Sequence, residues 1–197
     1  MLKIGITGGI GSGKSTVSAA FVFLGIPFYS SDQRAKWLMN NKPELKQKIQ
    51  HLFGNQAYIE GELNRKGIAQ KAFTNPSLLK ELNDAVHPAV EKDYEEFCSQ
   101  HKHAPYTLKE AAILFESGSY KGLDKIILVV SPLELRIQRV MERDSLSREE
   151  VLKRIENQLS DEEKISKSDY VIQNDGEHSI LLQVLHIHKK LLGIHSL

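Results

Sequence analysis

Leu2-Lys3-Ile4-Gly5-Ile6-Thr7-Gly8-Gly9-Ile10-Gly11-Ser12-Gly13-Lys14-Ser15-Thr16 is the stretch that decides the fold. Leu2 to Thr7 reads as a short buried strand. It runs straight into the pattern G-x-x-x-x-G-K-[ST], with Gly8 and Gly13 as the fixed glycines. Lys14 to Leu24 then reads as a helix. Together these parts make an anion site. Glycines let backbone N–H groups approach phosphate oxygens, and a helix N-terminus adds partial positive charge. Lys14 is a point charge that can reach β- and γ-phosphates, and Ser15 can offer its hydroxyl to Mg²⁺.

Outward from this loop, apolar runs alternate with helical patterns. Ile26-Pro27-Phe28-Tyr29, a run from Tyr106 that ends in Ala111-Ala112-Ile113-Leu114-Phe115, Lys125 to Val130, and Tyr170-Val171-Ile172 read as further strands. Near-continuous apolar runs suit a parallel sheet covered on both faces. The expected fold is therefore α/β, three-layered, with right-handed crossovers. Ser31 to Lys102 carries helical patterns and little strand character, punctuated by Pro43, Gly54, Gly61, Pro76 and Pro88. Asn64 and Asn75 are expected helix N-caps, with Pro76 as a first helical residue. This insertion is expected to cover the C-terminal edge of the sheet, where open α/β sheets bind ligands.

Between Pro132 and Lys167 lie Arg136, Arg139, Arg143, Arg148 and Arg154, interleaved with acids. Arg136, Arg139 and Arg143 share one helix face. That face is either solvated and ion-paired or part of a lid that closes charge over a transferring phosphoryl group. His178 to Leu192 reads as a packing helix with surface histidines, and His186 and His188 are spaced poorly for one metal.

A chain of 197 residues with 41% hydrophobic and 26% charged residues reads as one ordinary globular domain. A net charge of +1 provides no global basic field for nucleic acid. The single cysteine, Cys98, excludes an intramolecular disulfide and reads as a small, partly buried residue near a helix end. No apolar run reaches about 18 residues, so no membrane span is expected. No secretory leader is expected either, and the expected location is cytoplasmic.

The remaining motifs narrow the chemistry. Asn41-Lys42-Pro43-Glu44 lacks the aspartate of a guanine reader, and no Asp-x-x-Gly switch is present. Glu116 follows an apolar run as a motor ATPase would require, but the chain is short for such machines. A small-metabolite kinase fits best. Asp32, directly after the second strand, is the candidate base or a holder of hydrated Mg²⁺. It also reads as the N-cap of a helix beginning near Gln33, and the roles are compatible.

Several motifs in order resemble the dephospho-CoA kinase family over about residues 3 to 190. They begin with Ile6 to Val17, whose Thr-Gly-Gly-Ile-Gly-Ser-Gly-Lys-Ser core is far more specific than the generic loop, then Leu24-Gly25-Ile26 and Asp32. Leu63-Asn64-Arg65, Phe73-Thr74-Asn75-Pro76, Leu82-Asn83 and His87-Pro88 follow. Ile113-Leu114-Phe115-Glu116, Arg139 with Met141-Glu142-Arg143-Asp144, Arg154, Gln158 and Asp169 to Gly176 complete the set.

The resemblance implies ATP-dependent phosphorylation of the ribose 3′-hydroxyl of dephospho-CoA, giving CoA and ADP, with Mg²⁺. It implies a P-loop kinase core (about 1–30, 103–135 and 168–197), a helical CoA-side insertion (about 31–102) and a lid (about 136–167). Carried over by position, Gly11, Ser12, Gly13, Lys14, Ser15 and Thr16 bind ATP phosphates and Mg²⁺. Lys14, Asp32 and Arg139 are the expected catalytic residues, with Asp32 as base. Arg65, His87 and Glu116 face the acceptor, and Arg139 and Arg143 contact phosphates on closure. His87-Pro88 also reads as a helix start with Pro at its first position. The chain departs from the family at Ser30-Ser31-Asp32, where Asp-Ala-Asp is common, and at Ala112, where the family has Pro.

Overall fold

A computed structural model describes residues 1–194. The expected core segment runs on to residue 197, and residues 195–197 lie outside the described residues. The elements begin with β1 (Leu2–Thr7), α1 (Lys14–Phe23), β2 (Phe28–Ser30), α2 (Ser31–Asn41) and α3 (Pro43–Phe53). Next come β3 (Tyr58–Ile59), β4 (Glu62–Leu63), α4 (Arg65–Thr74), α5 (Pro76–Gln100), β5 (Tyr106–Glu110) and β6 (Lys125–Val130). The chain continues through α6 (Leu133–Asp144), α7 (Arg148–Glu156), α8 (Asp161–Ile165), β7 (Tyr170–Gln173) and α9 (Ile180–Leu191). Two compact units result: residues 1–30 with 101–194, and residues 31–100.

The first unit holds a five-stranded, all-parallel sheet in the order β2-β5-β1-β6-β7. Helices flank it in an α/β three-layer arrangement. On one face Ile4, Ile6, Leu108, Ile127, Val129 and Ile172 bury against Val17 and Phe21 of α1 and Val184 and Ile187 of α9. On the other, Ala111, Leu114, Phe115 and Ile126 form a smaller cluster. Gly5 faces that side, where a Cβ would come 2.6 Å from Leu123 Cδ1 and 3.0 Å from Leu114 Cδ2. Parallel pairing brings the ends of β1 and β2 to one sheet edge, with Ser30, Glu110 and Ile6 in one row.

Two expected strands shift. β2 starts at Phe28 rather than Ile26, because Ile26 enters the core from a turn in which its N–H bonds to the Phe21 carbonyl. β5 stops at Glu110, and Ala111 to Phe115 is a series of turns. Ala111, Leu114 and Phe115 fill space beside the sheet rather than a ladder, while Ile113 is exposed, a distinction that periodicity does not make.

The second unit is helical apart from the β3–β4 hairpin, which the sequence pattern does not reveal. Each strand has two residues, too few for a period, and Glu60 and Gly61 turn the chain with φ of 51° and 86°. Asn64 Oδ1 accepts from the Gly67 N–H at 3.1 Å and Asn75 Oδ1 from the Leu78 N–H at 3.2 Å, so both caps hold. Pro76 does open α5. Pro88, however, lies inside α5 and starts no helix. It removes one backbone donor, yet Val86, Val90, Tyr94 and Cys98 bury along the same helix and carry it through. Helix α2 begins at Ser31, so Asp32 sits in its first turn rather than at an N-cap.

The histidines of α9 are not all on the surface. His188 is half-buried, and its Nδ1 lies 2.7 Å from the hydroxyl of fully buried Tyr106. Among the described residues no group of three His, Cys, Asp or Glu could hold a metal, and no helix is long and apolar enough to cross a membrane.

Candidate active site

The glycine loop spans the end of β1 and the start of α1, and the protein occupies its carbonyls one by one. The Gly8 carbonyl accepts from Lys14 Nζ at 2.7 Å, with the Gly9 carbonyl at 3.4 Å from the same ammonium. The Gly9 carbonyl also takes the Ser12 N–H. Ile10 receives Arg136 Nε at 3.0 Å, Gly11 receives Arg139 Nη1 at 3.4 Å, and Ser12 receives Asn174 Nδ2 at 2.8 Å. The Gly13 carbonyl accepts the N–H groups of Thr16 and Val17.

Loop N–H groups remain. Those of Gly11 and Gly13 have no protein partner among the described residues, and both glycines are left-handed, with φ of 78° and 89°. Alternating left-handed residues turn successive N–H groups into a concave anion nest. At Gly13 a Cβ would also overlap the Asn174 amide. Ser15 and Thr16 are exposed at the first turn of α1, and the Ser15 hydroxyl has no protein partner among the described residues. This donor set fits a polyphosphate and a cation that it carries.

The arginine-rich segment is neither wholly solvated nor wholly directed to the loop. Arg136 is buried and Arg139 half-buried, both against the loop, with Arg139 also donating to Ser131 Oγ at 3.1 Å. Arg143 is exposed and makes a two-bond pair with Asp144. Arg148 pairs with Glu134 in the same way.

Glu116 is engaged by the arginine-rich segment, through Leu159 and Lys164, rather than left open. It accepts from the Leu159 N–H at 3.0 Å and lies 3.3 Å from Lys164 Nζ, an ion pair without an aligned hydrogen bond. Burial alone would raise its carboxyl. Its own N–H, that of Leu159 and the Lys164 charge outweigh burial and hold it below the usual range.

In the helical unit, Asp32 and Arg65 line one cavity of about 510 Å³ with Lys36. Its other walls are apolar, among them Met39, Leu63, Ile68, Leu79 and Leu82. His87 lies within α5, half-buried, and is not among the residues lining that cavity.

Sequence reading places Gln158 in the lid match and Asn174 in the closing strand and turn without giving either a contact, and it does not single out Glu110; the structure sets all three at the loop or the sheet edge. Asn174 and Glu110 stand at the ends of strands on the ligand-binding edge, a positional signal. Gln158 follows α7 and offers no local signal.

The family model described as dephospho-CoA kinase matches residues 2–179. The chain belongs to the dephospho-CoA kinase family. A Bacteroides fragilis dephospho-CoA kinase is 38% identical over 186 residues, covering 94% of this chain and 91% of that one. A Thermus thermophilus crystal structure is 38% identical, covers 99% of this chain and 98% of its own, and superposes with a TM-score of 0.85. The dephospho-CoA kinase structure from Campylobacter jejuni is 28% identical with a TM-score of 0.70, covering 97% of each chain. The sheet, loop and flanking helices are thus those of a P-loop kinase, and a kinase of this family uses ATP.

Proposed function

We propose that this chain transfers the γ-phosphoryl group of ATP to the ribose 3′-hydroxyl of dephospho-CoA, forming CoA and ADP as the last step of coenzyme A biosynthesis. The observation that carries the reading is a phosphate loop whose carbonyls are occupied and whose Gly11 and Gly13 N–H groups are not, in a chain of this family.

Gly11 to Thr16 form the phosphate cradle, with the Gly11 and Gly13 N–H groups donating to the β- and γ-phosphates. Lys14, resting on the Gly8 carbonyl, moves its charge to the transferring group. Ser15 would hold Mg²⁺, which when bound neutralises charge on the phosphate oxygens. Asp32 accepts the 3′-hydroxyl proton as that oxygen attacks the γ-phosphorus and the bond to ADP breaks. The cavity beside Asp32 suits an acceptor that is anionic at one end and apolar along its length, since Arg65 and Lys36 supply charge and the remaining walls are apolar. Arg139 stabilises charge on the transferring group, and Arg143 exchanges Asp144 for phosphate on closure. His87 and Glu116 contribute on the acceptor side. A single cysteine and no membrane-spanning helix among the described residues support a cytoplasmic location.

The test is turnover with Mg·ATP and dephospho-CoA, read by mass spectrometry, with AMP and shikimate as alternative acceptors. CoA formed from dephospho-CoA alone supports the assignment. ATP consumption with another acceptor and no CoA would overturn it.

A further inference from the structure

Ile10 is where the phosphate loop meets the arginine-rich arm. Its N–H donates to Gln158 Oε1 at 2.9 Å, and its carbonyl accepts from Arg136 Nε at 3.0 Å. Its side chain packs beside Ile137, Val140 and Val151. Arg136 is 5% exposed, lies where a Cβ on Gly9 would fall, and donates through Nη1 to Asp161 at 2.9 Å. Two residues on, the same device recurs: the Ser12 carbonyl accepts from Asn174 Nδ2 at 2.8 Å. Asn174 is itself buried, and its Oδ1 accepts from Arg139 at 3.4 Å.

The consequence follows from peptide geometry. A carbonyl and the next residue's N–H share one planar trans unit and point in opposite directions, and no peptide bond here is cis. Drawing the Ile10 carbonyl to Arg136 therefore turns the Gly11 N–H the other way. Drawing the Ser12 carbonyl to Asn174 does the same for the Gly13 N–H. Neither of these N–H groups has a protein partner among the described residues. Glycine on either side of Ile10 and Ser12 leaves these peptides little intrinsic preference. A flipped unit would aim a carbonyl oxygen at the phosphate.

We propose that Arg136 and Asn174 are positioning residues for phosphate binding. They act through the Ile10–Gly11 and Ser12–Gly13 peptides and do not touch the nucleotide. Arg136 is committed to Ile10 and Asp161, so its role is to orient, not to meet phosphate charge. This rests on the kinase reading above, and it adds residues outside the glycine motif to the phosphate-binding apparatus.

Inorganic pyrophosphate tests it, because it engages the loop without adenine or acceptor. Titration calorimetry would compare wild type with Arg136→Met, Arg136→Lys, Asn174→Asp and Asn174→Ala, with Mg·ADP in parallel and a melting curve for each. Arg136→Met, Asn174→Asp and Asn174→Ala are expected to weaken pyrophosphate and Mg·ADP together by about tenfold, the effect of losing one anion-directed hydrogen bond. KM for ATP should rise while KM for dephospho-CoA stays within about twofold, a change near the resolution of such constants. Arg136→Lys, which keeps one donor, should recover part of the loss. Pyrophosphate affinity unchanged in folded Arg136→Met and Asn174→Ala proteins would overturn the proposal. So would a loss for Mg·ADP alone, which would make these residues adenine contacts. A wild type that binds pyrophosphate but forms no CoA would instead defeat the kinase reading and leave this orientation effect measurable.

Discussion

The Ser30 hydroxyl donates to the Glu110 carboxylate at 3.4 Å, across the adjacent parallel strands β2 and β5. Ser30 occupies the position where the family pattern has its first aspartate, and its hydroxyl meets a carboxylate on the neighbouring strand. Ser30→Asp would set two carboxylates against each other at a nearly buried position. It should lower stability by about 1–3 kcal/mol at neutral pH. The deficit should shrink toward pH 5, where one of the two acids takes a proton. Denaturant titrations at both pH values check this, and equal deficits would show that the carboxylates do not interact.

Asp32 is exposed in the first turn of α2 and has no protein partner among the described residues. Asp32→Asn should reduce kcat by about 10²–10⁴-fold, the usual contribution of a general base. The melting temperature should hardly move, because the favourable charge at a helix N-terminus is worth only about 0.3–1 kcal/mol. Kinetics with a parallel thermal melt separate the roles: unchanged kcat with a lowered melting point would make Asp32 a helix-terminus residue only.

Lys14 Nζ rests on the Gly8 and Gly9 carbonyls. Lys14→Ala should cut kcat/KM by about 10²–10³-fold, as for removal of a preorganised donor. Near-normal kcat/KM would sink the phosphate-loop assignment.

Lys164 is fully buried with its charge beside Glu116. Glu116→Gln leaves that ammonium uncompensated and should destabilise by about 3–5 kcal/mol. Glu116→Gln combined with Lys164→Met should restore much of the loss. If the double variant is no more stable than the single one, Glu116 is not Lys164's counter-charge.

His188 supplies a pH-dependent contribution. Burial holds it below its ordinary range and pushes the Tyr106 hydroxyl upward, so Tyr106 donates and Nδ1 accepts. The folded state favours neutral His188, whereas the unfolded chain takes up a proton near about pH 6.5. Its full contribution is therefore present above that pH and is lost as pH falls from there through the lower folded value. His188→Gln should show a smaller drop in melting temperature than wild type between pH 7.5 and 5.5. An equal drop would assign the acid sensitivity elsewhere.

What sequence alone determined was local. Gly8 to Ser15 defines the loop because its chemistry depends on residues adjacent in the chain, and the helix caps at Asn64 and Asn75 span three residues each. Parallel strands were legible in β1 and β6, whose apolar runs are buried on both faces. Tertiary structure decided what sequence distance hides. Pro88 stays inside a helix because packing outweighs one lost donor, and Ala111 to Phe115 leaves the sheet to fill space beneath it. Glu116, expected to face the acceptor, is held by Lys164 and Leu159. Arg136 and Asn174 reach the loop from far along the chain. Local rules predict which groups the backbone offers, but only the packed chain decides which distant side chains take up the rest.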